Sequence, residues 1–133
     1  MILVDSSVWI DYFGDFDEPH TAKLHSILGV ERIAIGDLVL TEVLQGFGNK
    51  DEFDAAFKVL SGFELIVVGG RTVSIQAARN FIRLRSLGFT VRKTIDTIIA
   101  TRCILSGYEL LHNDRDFLPF EQHLGLQCVP LNT

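Results

Sequence analysis

The sequence predicts an α/β protein with three layers, in which helices cover both faces of a mostly parallel central sheet. Short apolar runs typical of buried strands alternate along the chain with longer segments of helical periodicity. Strands that read as continuous apolar runs are typical of parallel sheets, because the connecting helices cover both faces. The length of 133 residues suits one domain, and we expect residues 1–133 to form a single unit.

Glycine and proline residues mark the ends of the predicted elements in the first half of the chain. Pro19 suits the first turn of a helix, because the amide that it lacks is not needed there. Gly14, Gly29 and Gly62 each follow a segment of helical periodicity, where a helix is expected to end. The predicted elements are a strand at 2–4, helices at 7–13 and 19–28, a strand at 32–35, helices at 38–44 and 51–60, and a strand at 63–68.

The second half of the chain is predicted to begin with the longest helix, at 72–87. The next helix, at 95–105, is apolar nearly all round, so we expect it to be buried. A strand at 108–112, a short helix at 116–124 and an edge strand at 127–131 complete the chain. The apolar side of the helix at 51–60 is predicted to carry Phe53, Ala56, Phe57 and Leu60, and that of the longest helix Val73, Ala77, Ala78, Phe81, Leu84 and Leu87.

Composition narrows the class of protein. Hydrophobic residues make up 47% and the mean hydropathy is +0.27, which suggests that a partner covers some apolar surface. No apolar stretch approaches the roughly 20 residues that a membrane span needs, and Asp5 interrupts the first apolar run. Cys103 and Cys128 lie in apolar runs and are expected to be free, buried thiols. We therefore expect a cytoplasmic protein without membrane contact.

The charge is unevenly distributed. The net charge is −5, yet residues 67–133 hold 8 Lys/Arg against 5 Asp/Glu, whereas residues 1–66 hold 4 against 12. A basic segment between Arg71 and Arg102 surrounds one acid, Asp96. Such a segment suits phosphate binding around a metal-holding acid, but it would equally suit a solvated helix face.

Five acidic residues stand where a metal site would be built. Asp5 follows the first strand, and Asp114 and Asp116 follow the strand at 108–112. The carboxyl ends of neighbouring parallel strands open on one crevice, where ligands bind in open α/β sheets. Glu42 and Asp96 lie in apolar helical stretches, where a carboxylate is costly to bury unless it is paired or metal-bound. Oxygen-preferring cations such as Mg²⁺ or Mn²⁺ would relieve the repulsion among these carboxylates.

Most of these acids also have a structural interpretation when they are taken alone. Asp5 could cap the following helix, as could Asp114 or Asp116, and Asp96 could complement a helix dipole. Taken singly, each structural role is favoured over a metal role. Taken together, the structural roles require several unrelated coincidences.

Four segments carry these acids, and together they resemble a known family. They are MILVDSSVWI at 1–10, TEVLQG at 41–46, TVRKTIDTIIA at 90–100 and LHNDRDF at 111–117. In order and spacing they are similar to the acidic segments of PIN-domain ribonucleases, specifically the VapC-type toxins of bacterial and archaeal toxin–antitoxin pairs. The resemblance covers essentially the whole chain. One departure is His112, which stands where many members carry threonine.

The resemblance implies a PIN-like fold and a metal-dependent endoribonuclease. It implies catalytic roles for Asp5, Glu42, Asp96 and Asp114, with the metal, Mg²⁺ or in its place Mn²⁺, on Asp5, Asp96, Asp114 and Asp116. The implied substrate is a structured RNA such as a tRNA or ribosomal RNA, cleaved to leave a 5′-phosphate and a 3′-hydroxyl. The implied partners are a second copy of the chain and a small DNA-binding antitoxin.

Further candidate surfaces follow from charge and from the apolar pattern. We expect Arg79, Arg83, Arg92 and Lys93 to contact RNA phosphates, with Arg92 and Lys93 nearest to the metal because they closely precede Asp96. The antitoxin is expected on the helix with Phe53 and Phe57 and on the helix that starts at Pro19. His20, His25, His112 and His123 show no zinc-ligand spacing and are expected at the surface or at strand ends.

Two competing functions remain open on the sequence. Receiver-like phosphoryl-transfer proteins also gather aspartates at strand ends, but they need a phosphate-pairing lysine late in the chain, and no lysine follows Lys93. A non-catalytic PIN scaffold that binds RNA or protein is the other alternative, although such scaffolds usually lack some of the acids.

Overall fold

The computed structural model describes residues 1–131, and its centre is a five-stranded sheet. The strands are β1 (Ile2–Val4), β2 (Ile33–Gly36), β3 (Glu64–Ile66), β4 (Glu109–Leu111) and β5 (Gln127–Cys128). Their order is β3-β2-β1-β4-β5, and every pairing among them is parallel. The predicted α/β class is therefore confirmed, with a sheet that is wholly parallel across the described residues.

Helices connect consecutive strands and pack on the two faces of the sheet. The helices are α1 (Ser6–Phe13), α2 (Pro19–Ile27), α3 (Asp37–Leu44), α4 (Lys50–Leu60), α5 (Arg71–Ser86), α6 (Thr94–Ser106) and α7 (Leu118–His123), and a 3-10 turn lies at Arg115–Phe117. The predicted helix at 116–124 is thus a 3-10 turn followed by a short α-helix. None of the helices described between residues 1 and 131 has the length and apolar character needed to cross a membrane.

Three strands are shorter than predicted: β4 spans 109–111 instead of 108–112, and the edge strands β3 and β5 also end early. β3 ends at Ile66, and the amide of Val68 donates to Asp37 Oδ1 at 3.1 Å instead of to a neighbouring strand. β5 ends at Cys128, although the amide of Val129 still donates to Leu110 O at 2.9 Å. Pro130 has no amide hydrogen to extend this ladder.

The core lies on both sides of β1, the central strand. Leu3 and Val4 are fully buried, as are the partner residues Leu110 and Leu111 on β4. Trp9 on α1 is also fully buried, in a cluster of aromatic rings. Burial of each such side chain stabilises the folded state by roughly 1.5–3 kcal/mol. This packing holds β1 in place and so fixes the position of the next residue, Asp5.

The predicted apolar sides of α4 and α5 are partly wrong. On α4, Ala56 and Leu60 are buried, but Phe53 and Phe57 are 38% and 50% exposed, with ring centroids 6.4 Å apart. On α5, Ala78 is exposed and Asn80 is buried, where its Nδ2 donates to Thr101 Oγ1 at 3.0 Å. This hydrogen bond lets an amide take a core position against α6, which hydrophobic periodicity does not predict.

Leu87, the last residue of the stripe predicted on α5, is also exposed. It lies at the C-cap, one residue beyond the end of the helix.

Candidate metal centre

Four segments meet at the carboxyl edge of the sheet, and each brings an acidic side chain. Asp5 follows β1 and Asp114 follows β4, and these two strands are hydrogen-bonded neighbours. Glu42 projects from α3 and Asp96 from the first turn of α6. The edge predicted from the sequence is therefore where the structure gathers the acids.

Asp5 serves both as a helix cap and as part of the acidic group. Its Oδ2 accepts hydrogen bonds from Ser7 N at 3.1 Å and from Ser7 Oγ at 2.6 Å, so it caps α1. Ser7 Oγ in turn accepts from Asn113 N at 3.1 Å, which ties the segment after β4 to the start of α1. The second oxygen, Asp5 Oδ1, is left for another ligand.

Asp96, Asp114 and Asp116 form a close group of acids. One carboxylate oxygen from each lies within 4.8 Å of the other two. Asp114 Oδ1 also accepts from Asp116 N at 2.9 Å and so caps the 3-10 turn. As with Asp5, the capping role and the membership of the acidic group coexist, because a carboxylate has two oxygens.

Three carboxylate oxygens of this group are buried without a hydrogen-bond partner in residues 1–131. They are Asp5 Oδ1, Glu42 Oε1 and Asp96 Oδ2. A buried carboxylate oxygen without a partner is expensive, and three from different segments at one place require compensation. A divalent ion that prefers oxygen ligands fits this donor set, because it accepts several carboxylates and retains water.

Electrostatics supports the same interpretation. Burial and, to a lesser extent, the charges of Asp5 and Asp114 raise the pKa of Asp96 from 3.8 to about 7, although Lys93 opposes them. Burial also raises the pKa of Asp5, and burial together with Asp5 raises the pKa of Glu42. The acids therefore repel one another in the absence of a cation, and binding a cation would displace protons.

Basic side chains border the acidic group. Arg92 contacts Asp116 through Nε and Nη2, both at 3.3 Å, and Lys93 Nζ lies 4.0 Å from Asp114 Oδ2. Both basic side chains are largely exposed. Arg79 and Arg83 are exposed on α5, and no side-chain hydrogen bond or ion pair in the described part of the chain joins them to the acids. The segment that precedes Asp96 thus contacts the acids of the site through its basic side chains.

Arg102, which the sequence groups with these basic residues, is structural. Its guanidinium donates to Val68 O at 3.2 Å and to Gly69 O at 3.0 Å.

Two polar contacts made by histidines were not expected from the sequence. His20, predicted at the surface, is 3% exposed, and its Nε2 lies 2.6 Å from Asp11 Oδ2. His112, at the end of β4 as predicted, accepts a hydrogen bond at Nδ1 from Asp114 N at 3.2 Å. Burial lowers the pKa of His112, so the imidazole is neutral at physiological pH. The contact between His20 and Asp11 joins α2 to α1 and depends on how the two helices pack, whereas the hydrogen bond between Asp114 and His112 is local, two residues apart.

Known proteins are similar to this chain over nearly its whole length. The family model for the PIN domain matches residues 2–121. The VapC ribonuclease Mb1587 of Mycobacterium bovis and ribonuclease VapC11 of Mycobacterium tuberculosis are each 29% identical over 132 residues, covering 97% of this chain and 98% of the relative. A solved structure shows VapBC2 from Rickettsia felis bound to a DNA fragment from its promoter. One chain of that structure is similar to this chain, with a TM-score of 0.76 and 19% sequence identity, and the match covers 97% of this chain and 98% of that one. That likeness supports the fold.

The first prediction concerns the pH dependence of stability without metal. A carboxyl whose pKa is raised on folding stabilises the folded state below its unfolded pKa, and this contribution is lost as pH rises through the folded value. For Asp96 the free energy of unfolding should therefore fall between pH 3.8 and about 7. Asp96→Asn should remove this component and stabilise the metal-free protein above pH 7 by a few kcal/mol, at about 1.4 kcal/mol per pKa unit.

Chemical denaturation in the presence of a chelator, measured across this pH range, checks the prediction. Asp17→Asn, in the exposed loop before α2, is the matched control and should follow the wild type. If wild type and Asp96→Asn have parallel pH profiles, Asp96 does not carry the repulsion described above.

The second prediction concerns added metal. Mg²⁺ or Mn²⁺ should raise the thermal midpoint of the wild-type protein, because an ion that binds only the folded state stabilises it by mass action. Asp5→Asn or Asp96→Asn should abolish this shift while the protein still folds. A midpoint that does not respond to millimolar amounts of either ion would contradict a metal centre here.

Proposed function

The chain belongs to the PIN-domain family, and we propose that it is a metal-dependent endoribonuclease that acts as the toxin of a toxin–antitoxin pair. The observation that carries the proposal is the convergence of Asp5, Glu42, Asp96 and Asp114 at the carboxyl edge of the sheet. Three of these acids present buried oxygens without partners. The relatives at 29% identity are named ribonucleases, and they match over nearly the whole chain.

The residues present fit a Mg²⁺ ion, with Mn²⁺ as a substitute. Asp5, Asp96, Asp114 and Asp116 would hold it, because their carboxylates provide an all-oxygen donor set. When bound, such an ion neutralises phosphate oxygens and makes a water molecule a better nucleophile. Asp116 would join by giving up its long contacts to the exposed Arg92, which contribute little to stability.

The remaining side chains of the site have separate proposed roles in proton transfer, in orienting the metal ligands and in binding RNA. We propose that Glu42, with Oε1 unpaired, accepts a hydrogen bond from the attacking water and then its proton. Ser7 holds one oxygen of Asp5, so the other keeps a fixed direction. Arg92 and Lys93 lie at the rim, where exposed cations can exchange an acidic neighbour for an RNA phosphate.

The proposed substrate is a structured RNA, and we propose a cytoplasmic location for the activity. This proposal makes both alternative functions testable, since a scaffold that does not cleave RNA and a phosphoryl-transfer protein would each fail a cleavage assay.

The proposed protein partners are a second copy of the chain and an antitoxin. A groove of about 650 Å³ runs between α1, α3 and α4, lined by Ile10, Phe13, Val43, Phe47, Ala56 and Val59 among others. Phe53 and Phe57, exposed on α4, extend the apolar surface beside it. An amphipathic antitoxin helix would fit such a groove, and a basic side chain from it would compete with metal at the acidic group.

The third prediction separates RNA binding from cleavage. Arg92→Ala combined with Lys93→Ala should weaken RNA binding and flatten its salt dependence by about one unit of slope per lost phosphate contact. Metal binding should be preserved. Asp96→Asn should do the reverse and abolish cleavage while RNA still binds. The substitution removes a carboxylate that is proposed to bind the metal, but it leaves the basic side chains of Arg92 and Lys93 in place.

Binding and Mg²⁺-supported cleavage of tRNA and ribosomal RNA, at several salt concentrations, check this prediction. Lys58→Ala, exposed on α4, is the matched control, and Arg79→Ala with Arg83→Ala tests whether α5 also contacts RNA. A double Arg92/Lys93 variant with wild-type affinity and salt slope would exclude this rim from the RNA path. Lack of cleavage by the wild type on any RNA would contradict the proposed function.

The fourth prediction concerns the antitoxin. Co-expression should rescue growth, and the complex should show slowed hydrogen exchange across residues 19–60. Phe53→Ala with Phe57→Ala should weaken the complex at least tenfold, since truncation of anchoring aromatic residues costs about 2 kcal/mol or more. Leu105→Ala, which removes an equally exposed side chain at the end of α6, should not.

Hydrogen exchange by mass spectrometry and a binding titration provide the measurements. Protection confined to residues 71–133 would show that the antitoxin occupies the other half of the chain.

A further inference from the structure

A second group of potential metal ligands lies beside the acidic centre, on the side of the sheet formed by β5. His112 follows β4, Cys128 is on β5, and Glu121 is on α7. One ligand atom from each lies within 4.8 Å of the other two. The parallel register pairs Leu110 with Cys128, so the sheet itself holds the thiol beside the end of β4. We propose that His112, Glu121 and Cys128 bind a divalent ion of the zinc class.

The donor set distinguishes this site from the acidic centre. A nitrogen, a sulfur and an oxygen ligand suit Zn²⁺, which favours imidazole and thiolate, whereas the all-oxygen acidic group suits Mg²⁺. Three protein ligands leave a fourth position for water in a tetrahedral arrangement. Glu121 is exposed, and His112 and Cys128 are half-buried, so an ion can enter from solvent. On binding, the Cys128 thiol releases its proton to solvent and the neutral imidazole gives up a lone pair.

Binding at this site is coupled to the acidic centre through His112. In the structure its Nδ1 accepts a hydrogen bond from the backbone N–H of Asp114. If Nδ1 binds the ion, its lone pair is no longer available to that N–H. If Nε2 binds the ion, the neutral ring must carry its proton on Nδ1, where it faces the N–H. Either mode therefore breaks the hydrogen bond and releases the segment that carries Asp114.

The consequence is inhibition of the nuclease by zinc-class ions. This step rests on the proposed function, because it assumes that Asp114 holds the catalytic metal. The metal site itself does not depend on that assumption.

Cobalt titration tests the site without an activity assay. Co²⁺ added to the wild-type protein in excess Mg²⁺ should produce the near-ultraviolet charge-transfer band of a cobalt–thiolate bond at one ion per chain. Cys128→Ser should abolish the band, and Glu121→Gln should weaken binding. Cys103→Ser, which alters the fully buried thiol on α6, is the matched control and should keep the band. A wild type without the band, or a Cys128→Ser protein that retains it, would overturn the site.

Zinc inhibition tests the coupling. In a Mg²⁺-supported RNA cleavage assay, Zn²⁺ at one equivalent per site should reduce the rate of the wild type at least tenfold and leave that of Cys128→Ser unchanged. Equal inhibition of both proteins would place the effect at the acidic centre and overturn the coupling. A wild type that shows the cobalt band but cleaves no RNA would refute the proposed nuclease and leave the metal site standing.

Discussion

Buried carboxylate oxygens without hydrogen-bond partners are the constraint on which the rest of this structure depends. Asp5, Glu42 and Asp96 each bury one such oxygen at the same edge of the sheet. The folded protein tolerates them because the buried apolar residues of β1 and β4 fix the backbone that carries Asp5 and Asp114. Apolar packing thus offsets the electrostatic cost, and a cation at the centre would convert that cost into binding energy.

The basic rim is the counterpart of this acidic centre. Arg92 and Lys93 reach Asp116 and Asp114 from the segment just before α6, yet both side chains remain largely exposed. Exposed ion pairs of this kind contribute about 0–1 kcal/mol, so they are easily exchanged for other anions. A site that holds a metal among buried acids and keeps weakly engaged cations at its edge suits a phosphodiester substrate.

The fold and the acidic centre were largely predictable from the sequence because both depend on local patterns. Apolar strands followed directly by acids place those acids at one edge of a parallel sheet, whatever the remaining packing. The rest depends on contacts between distant segments. Asn80 is buried because Thr101 accepts its hydrogen bond, and His20 is buried beside Asp11. The exposure of Phe53 and Phe57 is likewise set by how α4 lies on α3, which periodicity alone does not predict.

Crystals soaked in Mn²⁺ and measured at a wavelength where manganese scatters anomalously test the central claim most directly. The structure predicts an anomalous difference peak within metal–ligand distance of carboxylate oxygens of Asp5, Asp96 and Asp114. Asp96→Asn crystals treated in the same way should show no such peak. Ordered acids that share protons with one another, and no peak among them at saturating Mn²⁺, would contradict the account.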